Sequence, residues 1–170
     1  SMGAYLVGWV AARHPERVLS LTYACQSPLL TTEDNSSEEV RIFEKAVKEG
    51  KDMGPYVRYT ASTVGISLTA AEASKAASNA FKGKDVEALS AAALSFPALA
   101  VKPDDLKNCK VPLLFVYGGL EPERLKQRVK SLCALLGRGE IVEIARANHG
   151  TTISNPKFSS ALLAFLSRNS

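Results

Sequence analysis

Three side chains in this sequence are of the types that together make a nucleophilic catalyst: the hydroxyl of Ser1, the carboxylate of Glu121 and the imidazole of His149. A serine hydroxyl becomes a useful nucleophile when a base takes its proton, and an imidazole base works best when an acid orients it. Ser1-Met2-Gly3 supplies Ser-x-Gly, the second half of a nucleophile elbow. In such an elbow, small residues two positions before and after the serine permit a sharp strand-to-helix turn. The match is short, and Ser1-Met2 also fits a remnant of tag cleavage. Glu121 follows an apolar run and Gly118-Gly119; with Pro122 next, it also fits an acid favoured by the dipole at a helix N-terminus. Glu123 lies near enough to be a rival acid. His149 is one of two histidines, and it precedes Gly150 just after another strand-like run, although a merely structural histidine there stays open. His14, in Arg13-His14-Pro15, reads as a helix-end or surface residue.

The elements that must position these groups can be read from periodicity. Residues 2–13 form a helix that is apolar nearly all round, a pattern expected of a buried helix. His14-Pro15 ends it, and residues 18–24 make a short apolar strand of the kind found inside a parallel sheet. Residues 111–117 are a second strand, 122–136 a helix, 140–145 a third strand, and Asn155-Pro156 opens a last helix. Strand–helix alternation at this spacing argues for a parallel α/β sheet. On it, Glu121 and His149 each fall just past the C-terminal end of a strand, where open parallel sheets bind ligands. Between these two parts the chain reads as helical, with capping boxes at Ser36-Ser37-Glu38-Glu39 and Thr69-Ala70-Ala71-Glu72 and a further cap at Asp85. The expected organisation is a first core segment over 1–26, a helical insertion over 27–110 and a C-terminal core segment over 111–170.

Bulk composition narrows the function classes. The chain has 170 residues, 46% of them hydrophobic and 22% charged, as in ordinary globular domains. Its net charge of +4 comes from 21 basic and 17 acidic residues with no block of like sign, so no nucleic-acid footprint is visible. No apolar stretch is long enough for a membrane-spanning helix, and the first has no basic segment before it, so a cytoplasmic location is expected. The odd set Cys25, Cys109 and Cys133 has no Cys-x-x-Cys spacing and reads as free thiols in a reducing compartment. Metal-ligand spacing and phosphate loops are absent, so no metal and no cofactor are implied.

The segments SMGAYLVGWVAARHPERVLSLTYA, VPLLFVYGGLEP and ARANHGTTISNPKFSSALLAFL together resemble the nucleophile-elbow helix, the acid-bearing strand end and the histidine segment of α/β-hydrolases. The order Ser…Glu…His is that family's own. The resemblance implies a partial α/β-hydrolase fold: a few-stranded parallel sheet with flanking helices and a helical cap insertion. It also implies Ser1 as nucleophile, His149 as general base, Glu121 as the orienting acid and the Met2 N–H as an oxyanion-hole donor. Glutamate departs from the aspartate more usual at that place.

What the resemblance implies for activity is a serine hydrolase acting on a small ester-like substrate through an acyl-enzyme, in a truncated form. Strands that precede the serine in this fold would then lie outside the chain. The strand at 18–24 would have an exposed edge, inviting self-association or an N-terminal companion chain. A non-catalytic hydrolase-like protein that binds a ligand or partner is the second reading, since a fold does not fix a function.

Overall fold

The computed structural model describes residues 1–31, 38–50 and 52–169. They divide into two units, one of Ser1–Glu33 with Leu99–Ser170 and the other of Asp34–Ala98. The first unit holds one sheet of three parallel strands, β1 (Leu21–Ala24), β2 (Leu113–Gly118) and β3 (Glu140–Ile144), in the order β1-β2-β3. Leu21 is level with Leu113, and Leu114 with Glu140. All six positions of β2 are buried, because its apolar run is covered on both faces and flanked by a strand on each side.

Side-chain alternation sorts the sheet's two faces. Leu21, Tyr23, Leu113, Phe115 and Tyr117 form one core with Ala4 and Ala11 of α1 (Met2–Arg13) and with Leu125, Val129 and Leu132 of a helix after β2. The Tyr23 and Phe115 rings stack there, 5.0 Å apart. Leu114, Val116 and Ile144 face the other way, onto Phe165. The core segment also includes Leu106 and Cys109, and Leu30 pairs with Val101 in an isolated parallel bridge. Residues 101–109 therefore lie in the same unit as the sheet.

α1 departs from the expectation of a fully buried helix. Its Ala4–Gly8–Ala11 stripe is buried, but Met2, Leu6, Val7 and Val10 are 36–46% exposed. A helix lying on one side of a sheet can bury only the stripe that faces it, and nothing in the described residues covers the rest. Small side chains on the buried stripe permit close contact: a Cβ on Gly8 would lie 2.4 Å from the Pro28 Cβ.

The second unit contains α2 (Glu38–Lys48), α3 (Gly54–Thr63), α4 (Ala70–Ala80) and α5 (Val86–Ser95). Phe43, Ala46, Met53 and Ala77 form its core, and the Phe43 and Tyr56 rings meet edge-to-face at 4.8 Å. Thr69 and Glu72 form the expected capping box, and Asp85 accepts from the Ala88 N–H. The box at Ser36 lies outside the described residues. α3 has no counterpart among the caps read from the sequence; its Pro55, near the first helical position, suits a helix start. The first unit is completed by α6 (Pro103–Asn108), α7 (Glu123–Leu136), α8 (His149–Thr152) and α9 (Pro156–Arg168).

Candidate active site at the C-terminal edge of the sheet

Each of the three strands ends in a residue or turn that contributes to one cluster. After β2, the chain turns so that the Glu121 N–H donates to the Gly118 carbonyl at 3.0 Å. This turn is stitched to the segment after β3: the Gly119 N–H donates to the Ile144 carbonyl and the Leu120 N–H to the Ala147 carbonyl, both at 2.9 Å. Gly118 is required for the approach, because a Cβ there would stand 2.2 Å from the Ala147 carbonyl oxygen and 2.5 Å from the Thr152 hydroxyl. α8 then begins at His149, with Asn148 as its cap in a reciprocal box with Thr151.

This framework brings His149 Nδ1 to 3.0 Å from Glu121 Oε1 and 3.2 Å from Oε2. The Glu121 side chain is 1% exposed and that of His149 49%. A buried carboxylate held against one ring nitrogen fixes the ring's orientation and favours the tautomer with its proton on Nδ1. Nε2, across the ring, is then the basic nitrogen. Glu123, the rival acid, lies in the first turn of α7 and is engaged by Lys126 at 3.0 Å and Gln127 at 2.9 Å. It is Glu121 that meets the histidine. His14 sits at the end of α1, beside Glu16 at 3.7 Å, and takes no part in the cluster.

Ser1 caps α1, and its backbone nitrogen lies 2.6 Å from the carbonyl oxygen of Ala24, the last residue of β1. The serine therefore stands at the same edge of the sheet as the acid and the histidine. Among the described residues, no hydrogen bond joins its hydroxyl to His149. The N–H of Met2 is in the first turn of α1, where backbone donors have no intrahelical acceptor. On β1, Leu21 and Cys25 donate to Pro112 and Val116 on the β2 side, so Ala24 turns its carbonyl to the opposite, open edge. The bond from Ser1 runs along that edge.

The residue that sequence reasoning missed is Cys25. It follows β1 directly, is fully buried, and has a left-handed backbone with φ of 54°. Among the described residues, Arg146, after β3, is the other non-glycine residue with positive φ, at 61°. Such conformations cost about 1 kcal/mol or more for a side chain with a Cβ, and they recur at functional sites. The Cys25 sulfur lies within 4.8 Å of a Glu121 carboxylate oxygen and a His149 ring nitrogen. Burial, reinforced by the Glu121 charge and opposed by the Thr152 contact, pushes the thiol up to about 11. No sequence signal marks it, because its neighbours in space are remote in the chain.

Comparison with solved structures decides the fold. A carboxylesterase from the ammonia-oxidizing thaumarchaeon Nitrososphaera gargenis superposes with a TM-score of 0.71 at 19% identity, over 98% of this chain and 62% of that one. This is part of an α/β-hydrolase fold. A hydrolase from Oleispira antarctica gives a TM-score of 0.63 at 14% identity, over 99% of this chain and 63% of its own. An α/β-hydrolase from Sphaerobacter thermophilus gives 0.56 at 16% identity, over 98% and 65%. The chain thus spans less than two thirds of the length of these α/β-hydrolase structures. No protein-family model and no curated protein matches the sequence. Among the described residues no helix is long and apolar enough to cross a membrane.

Proposed function

We propose that this chain carries the nucleophile, acid and base of a serine hydrolase that cleaves small ester-like substrates. The observation that carries the reading is the hydrogen bond between buried Glu121 and half-exposed His149, formed where two neighbouring parallel strands end. In the proposed reaction, Ser1 Oγ attacks the ester carbonyl while His149 Nε2 takes its proton. The carbonyl oxygen becomes an oxyanion facing the Met2 N–H. Collapse breaks the bond to the alcohol, which leaves with the proton from His149, and Ser1 keeps the acyl group. Water, deprotonated by the same imidazole, then releases the acid and restores the hydroxyl. Glu121 stays ionised throughout and stabilises the imidazolium.

The carboxylesterase likeness favours ester chemistry within this fold, and the single bond from Ser1 to the open edge of β1 favours an additional strand against that edge in the working protein. An N-terminal segment or companion chain suits that place, and so does a second copy. A fluorophosphonate probe tests the reading by intact mass, on this chain and on a longer protein containing it. Labelling that disappears in Ser1→Ala and in His149→Ala supports it. A folded longer protein that is never labelled overturns it in favour of a non-catalytic ligand- or partner-binding protein.

A further inference from the structure

Cys25 supplies a third donor atom to the pair of Glu121 and His149. Its sulfur, a Glu121 carboxylate oxygen and a His149 ring nitrogen all lie within 4.8 Å of one another. They come from the ends of all three strands, so the sheet's hydrogen-bond ladder holds them together before any ligand arrives. We propose that Cys25, Glu121 and His149 form an inhibitory binding site for a thiophilic divalent cation of the zinc type.

The donor set is one sulfur, one nitrogen and one oxygen, each a normal zinc ligand. Zinc bond lengths of roughly 2.0–2.3 Å put tetrahedral ligand atoms about 3.3–3.7 Å apart. The widest separation, at most 4.8 Å, closes to that spacing by about 1–1.5 Å, which small rotations of the Cys25, Glu121 and His149 side chains can supply. Cys25 and Glu121 are buried and therefore pre-positioned, while the half-exposed imidazole leaves an entry route and room for water as fourth ligand.

Binding has a defined chemical balance. The thiol proton leaves to solvent, the carboxylate is already ionised, and the imidazole moves its proton from Nδ1 to Nε2. A protonated Nε2 cannot accept the proton of Ser1, and Glu121 no longer orients the ring. Occupation of the site and hydrolysis are therefore mutually exclusive. The occupation rests on the cluster's geometry alone; only the inhibition rests on the hydrolase reading.

The test uses the reduced, demetallated chain, titrated with Zn2+ in equilibrium dialysis and with Co2+ in absorption spectroscopy. One Zn2+ per chain is expected, and Co2+ should give a thiolate-to-cobalt charge-transfer band. Cys25→Ala should abolish the band and weaken Zn2+ binding by about a hundredfold or more, since loss of even an outer-shell partner costs 10–100-fold. His149→Ala, at a half-exposed position that tolerates truncation, should weaken it similarly, and Cys109→Ala and Cys133→Ala should leave binding and band intact. Absence of stoichiometric binding, or a band that survives Cys25→Ala, overturns the proposal. Neither readout needs turnover: zinc binding without probe labelling sinks only the hydrolase reading, and labelling that zinc leaves untouched sinks only this one.

Discussion

The acid–base half of the site and the serine half stand at the same edge of one sheet, yet they are held in different ways. Glu121 and His149 are fixed by a turn, two inter-loop backbone hydrogen bonds and a capping box, and their side chains meet at 3.0 Å. Ser1 is held by the first turn of α1 and a bond to Ala24, and among the described residues its hydroxyl makes no hydrogen bond to the histidine. The apolar faces around the two halves differ in the same sense. Tyr117, Ile144 and Ala147 are buried near the first, whereas Met2, Leu6 and Val7 stand exposed beside the second. A side-chain geometry is as firm as the elements that support it, and in the described residues far more bonds hold the Glu121–His149 pair than hold Ser1.

The sharpest way to break this contrast is to remove its better half. Glu121→Gln and His149→Ala should each lower hydrolysis by about 10³–10⁴-fold in a longer, active protein, because an unoriented or absent imidazole no longer takes the serine's proton. Steady-state kinetics with simple esters checks this. Glu123→Gln, at an exposed helix position, should change the rate by less than about threefold, within the range of surface substitutions. An equal loss in both glutamate variants would remove the assignment of Glu121 as the orienting acid.

Packing substitutions come next. Gly118→Ala pushes a methyl group into the Ala147 carbonyl and the Thr152 hydroxyl, which are backbone and buried side chain with nowhere to go. A loss of about 2–3 kcal/mol is expected, seen as a melting temperature lower by about 4–12 °C for a domain of this size. Gly8→Ala, against Pro28, should cost somewhat less, because the methyl group meets a ring on an adjoining loop. The first variant should also displace His149 and the second should not, a difference that probe labelling in the longer protein would reveal.

How much of this was legible in the sequence follows from the range of the interactions involved. The fold class, the parallel order of the elements, α1, α7 and α9 were readable because periodicity and caps are local signals. Helix α3 starts without a side-chain cap to mark it, and α8 is only four residues long, too short to show a period. Glu121 could be narrowed to a choice with Glu123, but only the turn at Gly118 settles which carboxylate points inward. Cys25 was unreadable as a site residue, since its place beside Glu121 depends on β1 and β2 being neighbours. The exposed stripe of α1 was equally hidden: composition shows that a helix is apolar, not which of its sides finds a partner.

A smaller effect separates the halves by pH. Cys25 carries its proton more tightly in the folded chain, with its value raised from 9.0 to about 11, and burial also raises Tyr23. The stabilisation is therefore complete below the unfolded thiol value and is lost as pH rises through the folded one. Two units correspond to roughly 2–3 kcal/mol at the upper limit, and about 1–2 kcal/mol after allowance for relaxation around the thiol. Denaturant titrations between pH 8 and 11 should show stability falling, with a shallower fall in Cys25→Ser. An identical slope in both proteins would mean that the thiol is not what the folded state protects from ionisation.

The smallest expected change probes the serine half most directly. Gly3 has nothing within 4 Å of where a Cβ would stand, although it is the small residue two places after the proposed nucleophile. In this chain Gly3→Ala should be neutral or stabilising by up to about 1 kcal/mol, since alanine is the better helix former. In a longer protein with a strand laid against the open edge of β1, the same methyl group would face the tight turn that a nucleophile elbow requires, and the variant should lose labelling by the probe. Opposite signs in the two contexts would show that the elbow forms only when Ser1 is held from both sides. A neutral outcome in both would leave Gly3 an ordinary helix residue and weaken the case for Ser1 as the nucleophile, without touching the pairing of Glu121 with His149.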